Sequence, residues 1–296
     1  MSVEVVDEAG DRMTLLDIDG RLLPVIRIPG YDQVAEVRSM PQWKARDDDI
    51  LICAYPKSGT HWIWEIVMML LQGKAERVNA IKETAMLEGT SQKSFDSLPS
   101  PRVLNTHILY QDLPKDFREK HCKMIYLLRN VKDVAVSFFH HHCKLIDYTY
   151  SGKWENYLKR FIDGKVDYGA WTDHVLQWEK VAGDNNVNIL LVAYEDMHKN
   201  PEVQVKRIAE YLGKAASQEL IKDIVDLCSF KKMKKEKDPL EDLNEWKDKQ
   251  PGMYRKGIVG DWKTMFTVAQ NEKFDAYLAE KMSPSKWCTQ YDLVGT

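Results

Sequence analysis

Lys57, His107, Arg129 and Tyr194 are suited to anion and proton chemistry, and each follows a short apolar run. Lysine supplies a mobile cation that neutralises a departing oxyanion, and arginine a planar fork that matches phosphate. Histidine exchanges protons near neutral pH, which makes His107 a candidate general base. Lys57 lies in Tyr55-Pro56-Lys57-Ser58-Gly59-Thr60-His61-Trp62, just ahead of Ile63, Ile66, Val67, Leu70 and Leu71 at helical spacing. A helix starting near Thr60 turns its unpaired amides and the positive end of its dipole toward an anion in that loop. The common nucleotide loop G-x-x-x-x-G-K-[ST] is not matched, because Lys57 precedes the only glycine.

Ser137 lies about two helical turns beyond Arg129, so both can face one anion. Arg255-Lys256-Gly257-Ile258-Val259-Gly260-Asp261-Trp262-Lys263 brings cations and glycines together as a second candidate phosphate clamp. Singly, each of these has an ordinary explanation: a capping arginine, a structural histidine, a solvated loop. His140, His141, His142 and Cys143 suggest a metal. Adjacent helical residues diverge by about 100°, however, so they cannot share one ion, and no metal is expected.

These groups need a frame that gathers the ends of separate runs. Strands are expected near 50–54, 102–106, 123–128 and 187–193, and helices near 60–72, 113–120, 131–144 and 201–212. Asn200-Pro201 is a helix-start signal. The alternation predicts an α/β fold, a central parallel sheet flanked by helices, with ligands beyond the carboxyl ends of the strands. Residues 1–296 read as a single domain, without repeats or low-complexity linkers. Residues 1–45 are weakly patterned, with a short strand or edge segment at 20–26. Residues 231–253 are charged and poor in apolar periodicity; they read as a solvated loop or a mobile lid.

Composition narrows the class. Hydrophobic residues at 44% support a sizeable core, and 42 basic against 45 acidic residues argue against general affinity for nucleic acid or anionic membrane. The acidic N-terminus does not read as a signal peptide, and the most apolar helix, 62–71, is about half a membrane span. Five scattered cysteines without a C-x-x-C pair point to reduced thiols and a soluble, cytoplasmic protein.

The ordered set is Tyr55-Pro56-Lys57-Ser58-Gly59-Thr60, Thr106-His107, Leu128-Arg129-Asn130 with Lys132-Asp133-Val134-Ala135-Val136-Ser137, Tyr194-Glu195-Asp196-Met197, and 255–263. With it, the chain from about residue 45 to 290 resembles the cytosolic sulfotransferases. The resemblance implies transfer of a sulfuryl group from 3′-phosphoadenylyl sulfate (PAPS) to a hydroxyl or amine of a small molecule, a phenol, steroid or alcohol, without a metal. It implies that Lys57, Ser58, Gly59 and Thr60 hold the 5′-phosphosulfate, with His61 next to them in the cofactor site. Arg129, Ser137 and Arg255, with the backbone around Lys256 and Gly257, would hold the 3′-phosphate. Trp62 and Phe230 would sandwich the adenine, with Tyr194, Cys228 and Ser229 at its edge. His107 would be the base, Lys57 the cation at the leaving oxygen, and a Ser137–Lys57 hydrogen bond a restraint on hydrolysis.

Three positions depart from the family pattern. His61 and Cys228 stand where threonine is usual, and Asn105 where lysine is common. On this basis Asn105→Lys is expected to raise turnover. Phe138, Phe139, His141 and the lid are expected to shape the acceptor pocket. Lys263-x-x-x-Thr267-Val268-x-x-x-Glu272 resembles the family's dimer motif and implies a homodimer. A nucleotide-binding regulator without turnover and an ATP-dependent kinase are the competing classes. Lys57 and His107 weigh against the first, and the missing nucleotide loop against the second.

Overall fold

A computed structural model describes residues 2–78, 82–291 and 293–294. Residues 2–45 are more structured than their pattern suggests. They form an antiparallel meander of β1 (Ser2–Val6), β2 (Arg12–Ile18) and β3 (Arg21–Leu23). Met13, Leu15, Leu16 and Ile18 of β2 are buried in the main core. The buried positions change phase between Leu15 and Leu16, so a strict period of two does not register them.

The central sheet holds β4 (Ile50–Ala54), β5 (Val103–Thr106), β6 (Lys123–Leu128) and β7 (Ile189–Ala193) in the order β5-β4-β6-β7, all parallel. Side chains alternate between faces: Leu51 and Cys53 of β4 join one apolar cluster, and Ile50, Ile52 and Ala54 the other. Both faces are therefore covered, which is why these strands read as continuous apolar runs. Cys53 pairs with Thr106, Ala54 with Leu127, and Leu128 with Ala193. The four carboxyl ends are thus level, and Lys57, His107, Arg129 and Tyr194 emerge at one edge.

Helices Thr60–Gln72, Val131–Lys144 and Pro201–Leu212 stand at the expected places, while 113–120 yields only the short helix Lys115–Glu119. Asn130 caps the second of these with its side chain, accepting from the Lys132 N–H at 3.0 Å. Helix Thr60–Gln72 begins differently: Gly59 precedes it at φ 105° with no side-chain cap, which leaves first-turn amides for another partner.

Residues 231–253 begin as a helix, and beyond it most of 238–250 is exposed. Phe230–Lys237 is helical with Met233 buried, and Trp246 is 1% exposed and bridges to Leu145. A lysine-rich run conceals this, since long lysine stems cover apolar surface while their ammonium groups reach partners. Lys237, for one, pairs with Glu65 at 2.5 Å. Among the described residues, no helix is long and apolar enough to cross a membrane.

Candidate active site

A cavity of about 1090 Å³ opens at the carboxyl edge of the sheet, lined among others by Lys57, His107, Arg129, Ser137, Tyr194 and Phe230. Of the residues singled out from the sequence for donor binding or catalysis, Ser58 alone is not on its wall, being 1% exposed behind the loop. Phe138 and His141 line the cavity as expected. Phe139 does not; it packs on Trp154 and Tyr157 instead.

The loop after β4 is shaped to leave room for a ligand. Lys57 takes a left-handed φ of 67°, which brings its carbonyl to the Arg129 Nη1 donor at 2.8 Å. A Cβ at Gly59 would stand 3.0 Å from the Tyr194 ring, so only glycine fits there without a shift. The Arg129 guanidinium lies 4.2 Å over the Tyr194 ring centroid. Its Nε, like that of Arg255, is buried and has no hydrogen-bond partner among the described residues. Buried donors are normally satisfied. Two guanidinium groups thus border one cavity, each with a donor left over among the described residues.

Lys57 Nζ lies 3.3 Å from His141 Nδ1 and 3.5 Å from Met253 Sδ. The expected Ser137–Lys57 hydrogen bond is not formed among the described residues: Ser137 lines the cavity, and His141 takes the lysine instead. Burial, then the cations of Arg129 and Lys82, bring the Lys57 ammonium down to about 8. Burial and Lys57 together push His141 well below its ordinary value, so it meets the lysine as a neutral acceptor.

His107 follows β5 and is 8% exposed. Its Nδ1 lies 2.8 Å from the Ala54 carbonyl, an acceptor, so Nδ1 carries the proton and Nε2 keeps a free lone pair. Burial, followed by the charge of Lys82, pushes its pKa well below the usual histidine value. His107 is therefore a neutral imidazole at physiological pH. Glu88 holds the turn, accepting from Thr106 Oγ1 at 2.6 Å and from the His107 N–H at 2.8 Å. His174 Nε2 donates to the His107 carbonyl at 3.0 Å. Glu88 and His174 lie in no motif, and sequence reasoning missed both.

On the other side of the cavity, residues 255–262 are clamped to helix Val131–Lys144. Asp133 accepts from the Gly260 and Trp262 N–H groups at 2.7 and 2.9 Å. Asp261 binds Arg255 Nη2 at 2.5 Å and Lys256 Nζ at 2.6 Å. Gly257, at φ 64°, lies flat against the Phe230 ring. Trp62 packs edge-on to Tyr194 and His198. Cys228 and Ser229 complete this wall. Burial pushes the Cys228 thiol up to about 12, so it stays a neutral, weak hydrogen-bonding group.

The histidine run separates as helical geometry requires. His142 is buried between Asp167, at 2.7 Å, and Tyr157, at 2.8 Å, while His141 faces Lys57. Among the described residues, no group of three acidic, histidine or cysteine ligands gathers to hold a metal. His61 pairs with Glu83 at 2.6 Å. Asn105 is not on the cavity wall: it is fully buried and holds Lys82, whose Nζ donates to its Oδ1 at 2.8 Å. A lysine at 105 would therefore face Lys82 in a buried space, and the expected gain for Asn105→Lys becomes an expected loss.

The sequence model of the sulfotransferase domain matches residues 47–286. The chain is 41% identical to Sulfotransferase 1B1 of Canis lupus familiaris, over 83% of this chain and 87% of that one. It is 34% identical to Sulfotransferase 1C2 of Homo sapiens, over 94% of this chain and 96% of that one. The crystal structure of mouse sulfotransferase SULT7A1 complexed with PAP superposes with a TM-score of 0.79 at 32% identity, covering 94% and 97% of the two chains. The chain belongs to the sulfotransferase family. It is an enzyme of sulfuryl transfer.

Proposed function

We propose that the chain transfers a sulfuryl group from PAPS to the hydroxyl, or amine, of a small-molecule acceptor, a phenol, steroid or alcohol. The observation that carries this is the meeting of Lys57, a neutral His107 with a free Nε2, and two unpaired guanidinium donors at one cavity. The mouse relative holds PAP, which is what remains of the donor once its sulfuryl group has left.

In this reading Lys57, Gly59 and Thr60 hold the phosphosulfate, with the backbone of the loop at Ser58 and the amides of the uncapped helix start, and His61 stands beside them. Arg129, Ser137, Arg255, Lys256 and Gly257 hold the 3′-phosphate. Trp62 and Phe230 enclose the adenine, beside Tyr194, Cys228 and Ser229. His107 Nε2 takes the acceptor proton as the acceptor oxygen bonds to sulfur. The sulfur–oxygen bond to the donor phosphate breaks, and its electron pair leaves on the phosphate oxygen, where Lys57 stabilises it. Residues 1–296 act as one domain with a variable segment at 1–45, and 231–253 move as a lid over the acceptor. The chain works in the cytoplasm as a homodimer joined through Lys263–Glu272, where Val268 is 76% exposed.

Titration calorimetry tests the site. Adenosine 3′,5′-bisphosphate is expected to bind far more tightly than AMP, and equal affinities would refute the 3′-phosphate clamp. Radiolabelled sulfate transfer to a panel of a phenol, a steroid and an alcohol tests the reaction; no transfer to any of them would refute it for these acceptors.

A further inference from the structure

We propose that Lys82 is a second cation of the transfer site, held by Asn105 to face the oxygens of the moving sulfuryl group, an inference that rests on the sulfotransferase reading. Lys82 opens the short helix Lys82–Ala85, is 4% exposed, and lines the same cavity as Lys57 and His107. Its Nζ donates to Asn105 Oδ1 at 2.8 Å, and Asn105 Nδ2 returns a bond to the Lys82 carbonyl at 2.8 Å. This reciprocal pair fixes both ends of the lysine.

A buried ammonium is costly unless it is paired. The carboxylate of Glu83 is 3.9 Å from Lys82 Nζ, and its Oε1 also accepts from His61 at 2.6 Å. Lys82 is thus oriented by a neutral amide, while the carboxylates of Glu83 and Glu88 nearby support its charge against burial. The charge is felt across the site: it lowers the pKa values of Lys57, His61 and His107 alike. Lys82, Lys57 and His107 line one cavity, so this cation shares the space in which charge would move between acceptor and donor.

Asn105 then has a reason. The resemblance leads one to expect lysine at this position on β5. Here the charge comes from the neighbouring helix, and the strand residue has become its holder. Two lysines at the same buried spot would repel each other, so the asparagine and Lys82 belong together.

Lys82→Met is expected to lower kcat about 100-fold or more, the loss found for one preorganised donor. The Kd for adenosine 3′,5′-bisphosphate should stay within about threefold, because that ligand carries no sulfuryl group for Lys82 to face. The exchange variant Lys82→Asn/Asn105→Lys returns the charge from the strand, and its kcat is expected to be at least about a tenth of wild type. A folded Lys82→Met enzyme with kcat within about threefold of wild type would overturn the inference. Should that variant fail to fold, the exchange variant decides alone, and a kcat below about a tenth of wild type overturns it. Wild-type protein that transfers no sulfate refutes the enzymatic reading, and this inference with it; wild-type transfer with unchanged Lys82→Met refutes the role of Lys82 only.

Discussion

Gly257→Ala tests whether the 255–263 loop builds the nucleotide wall. An alanine Cβ there would overlap the Phe230 ring, well inside van der Waals contact, at a backbone φ of 64°. Two costs follow. The left-handed backbone disfavours a side chain by about 1–2 kcal/mol, which is a loss of stability. If Phe230 forms one face of the proposed adenine sandwich, displacing it removes base–aromatic stacking of about 1–3 kcal/mol, a loss of affinity of about 5- to 150-fold. Gly260→Ala separates the two: it has φ 83° but nothing within 4 Å of its added Cβ. It should therefore lose stability by a similar amount while binding bisphosphate nearly as wild type does. Calorimetry on both variants, with a denaturant midpoint for each, reads the result. A folded Gly257→Ala protein that binds within twofold of wild type would show that Phe230 does not stack on the base.

The rate should depend on pH through Lys57 and His107. His107, held well below its usual value, is already a free base at neutral pH, whereas Lys57, at about 8, loses its proton above that point. We expect kcat/KM to be flat near neutrality and to fall above about pH 8; a rate still rising at pH 9 would assign the cation elsewhere. Asp49 and Arg102 form a fully buried bidentate pair, at 2.7 and 2.5 Å, at the start of the central sheet. Asp49→Ala removes the bidentate partner and leaves the buried guanidinium only Asp96 at 3.5 Å and two main-chain carbonyls; it should cost up to about 3–5 kcal/mol in urea denaturation, with less than 1 kcal/mol counting against the pair's importance. Val268→Glu is expected to give monomers in sedimentation, and unchanged dimers would place the interface away from Lys263–Glu272.

Legibility in the sequence followed distance along the chain. Lys57, His107, Arg129 and Tyr194 were readable because each closes a strand whose apolar run is local, and parallel packing brings such ends together. Their supports were not. Glu88 reaches His107 across 19 residues, Lys82 reaches Asn105 across 23, and His174 reaches the His107 carbonyl across 67. No periodicity encodes such pairings; they exist only once the sheet has formed. Of the meander, β3 falls within the segment expected at 20–26, whereas β1 and β2 were not legible, the buried face shifting within β2; neither was helix Phe230–Lys237, because Met233 is its one apolar residue after Phe230.

The partner of His107 Nδ1 is a main-chain carbonyl of β4, not a side chain. Many enzymes orient a catalytic imidazole with a carboxylate, which one substitution can delete or turn into the wrong tautomer partner. Here the orienting atom belongs to every possible residue at position 54, so no replacement of Ala54 removes the acceptor itself. Substitution can still move His107, by changing residue 107, by removing Glu88 or His174, which hold its turn, or by shifting β4, which would disturb a sheet it shares with both neighbours. The acceptor for Nδ1 is thereby insured by the fold: that atom is lost only when the strand is lost.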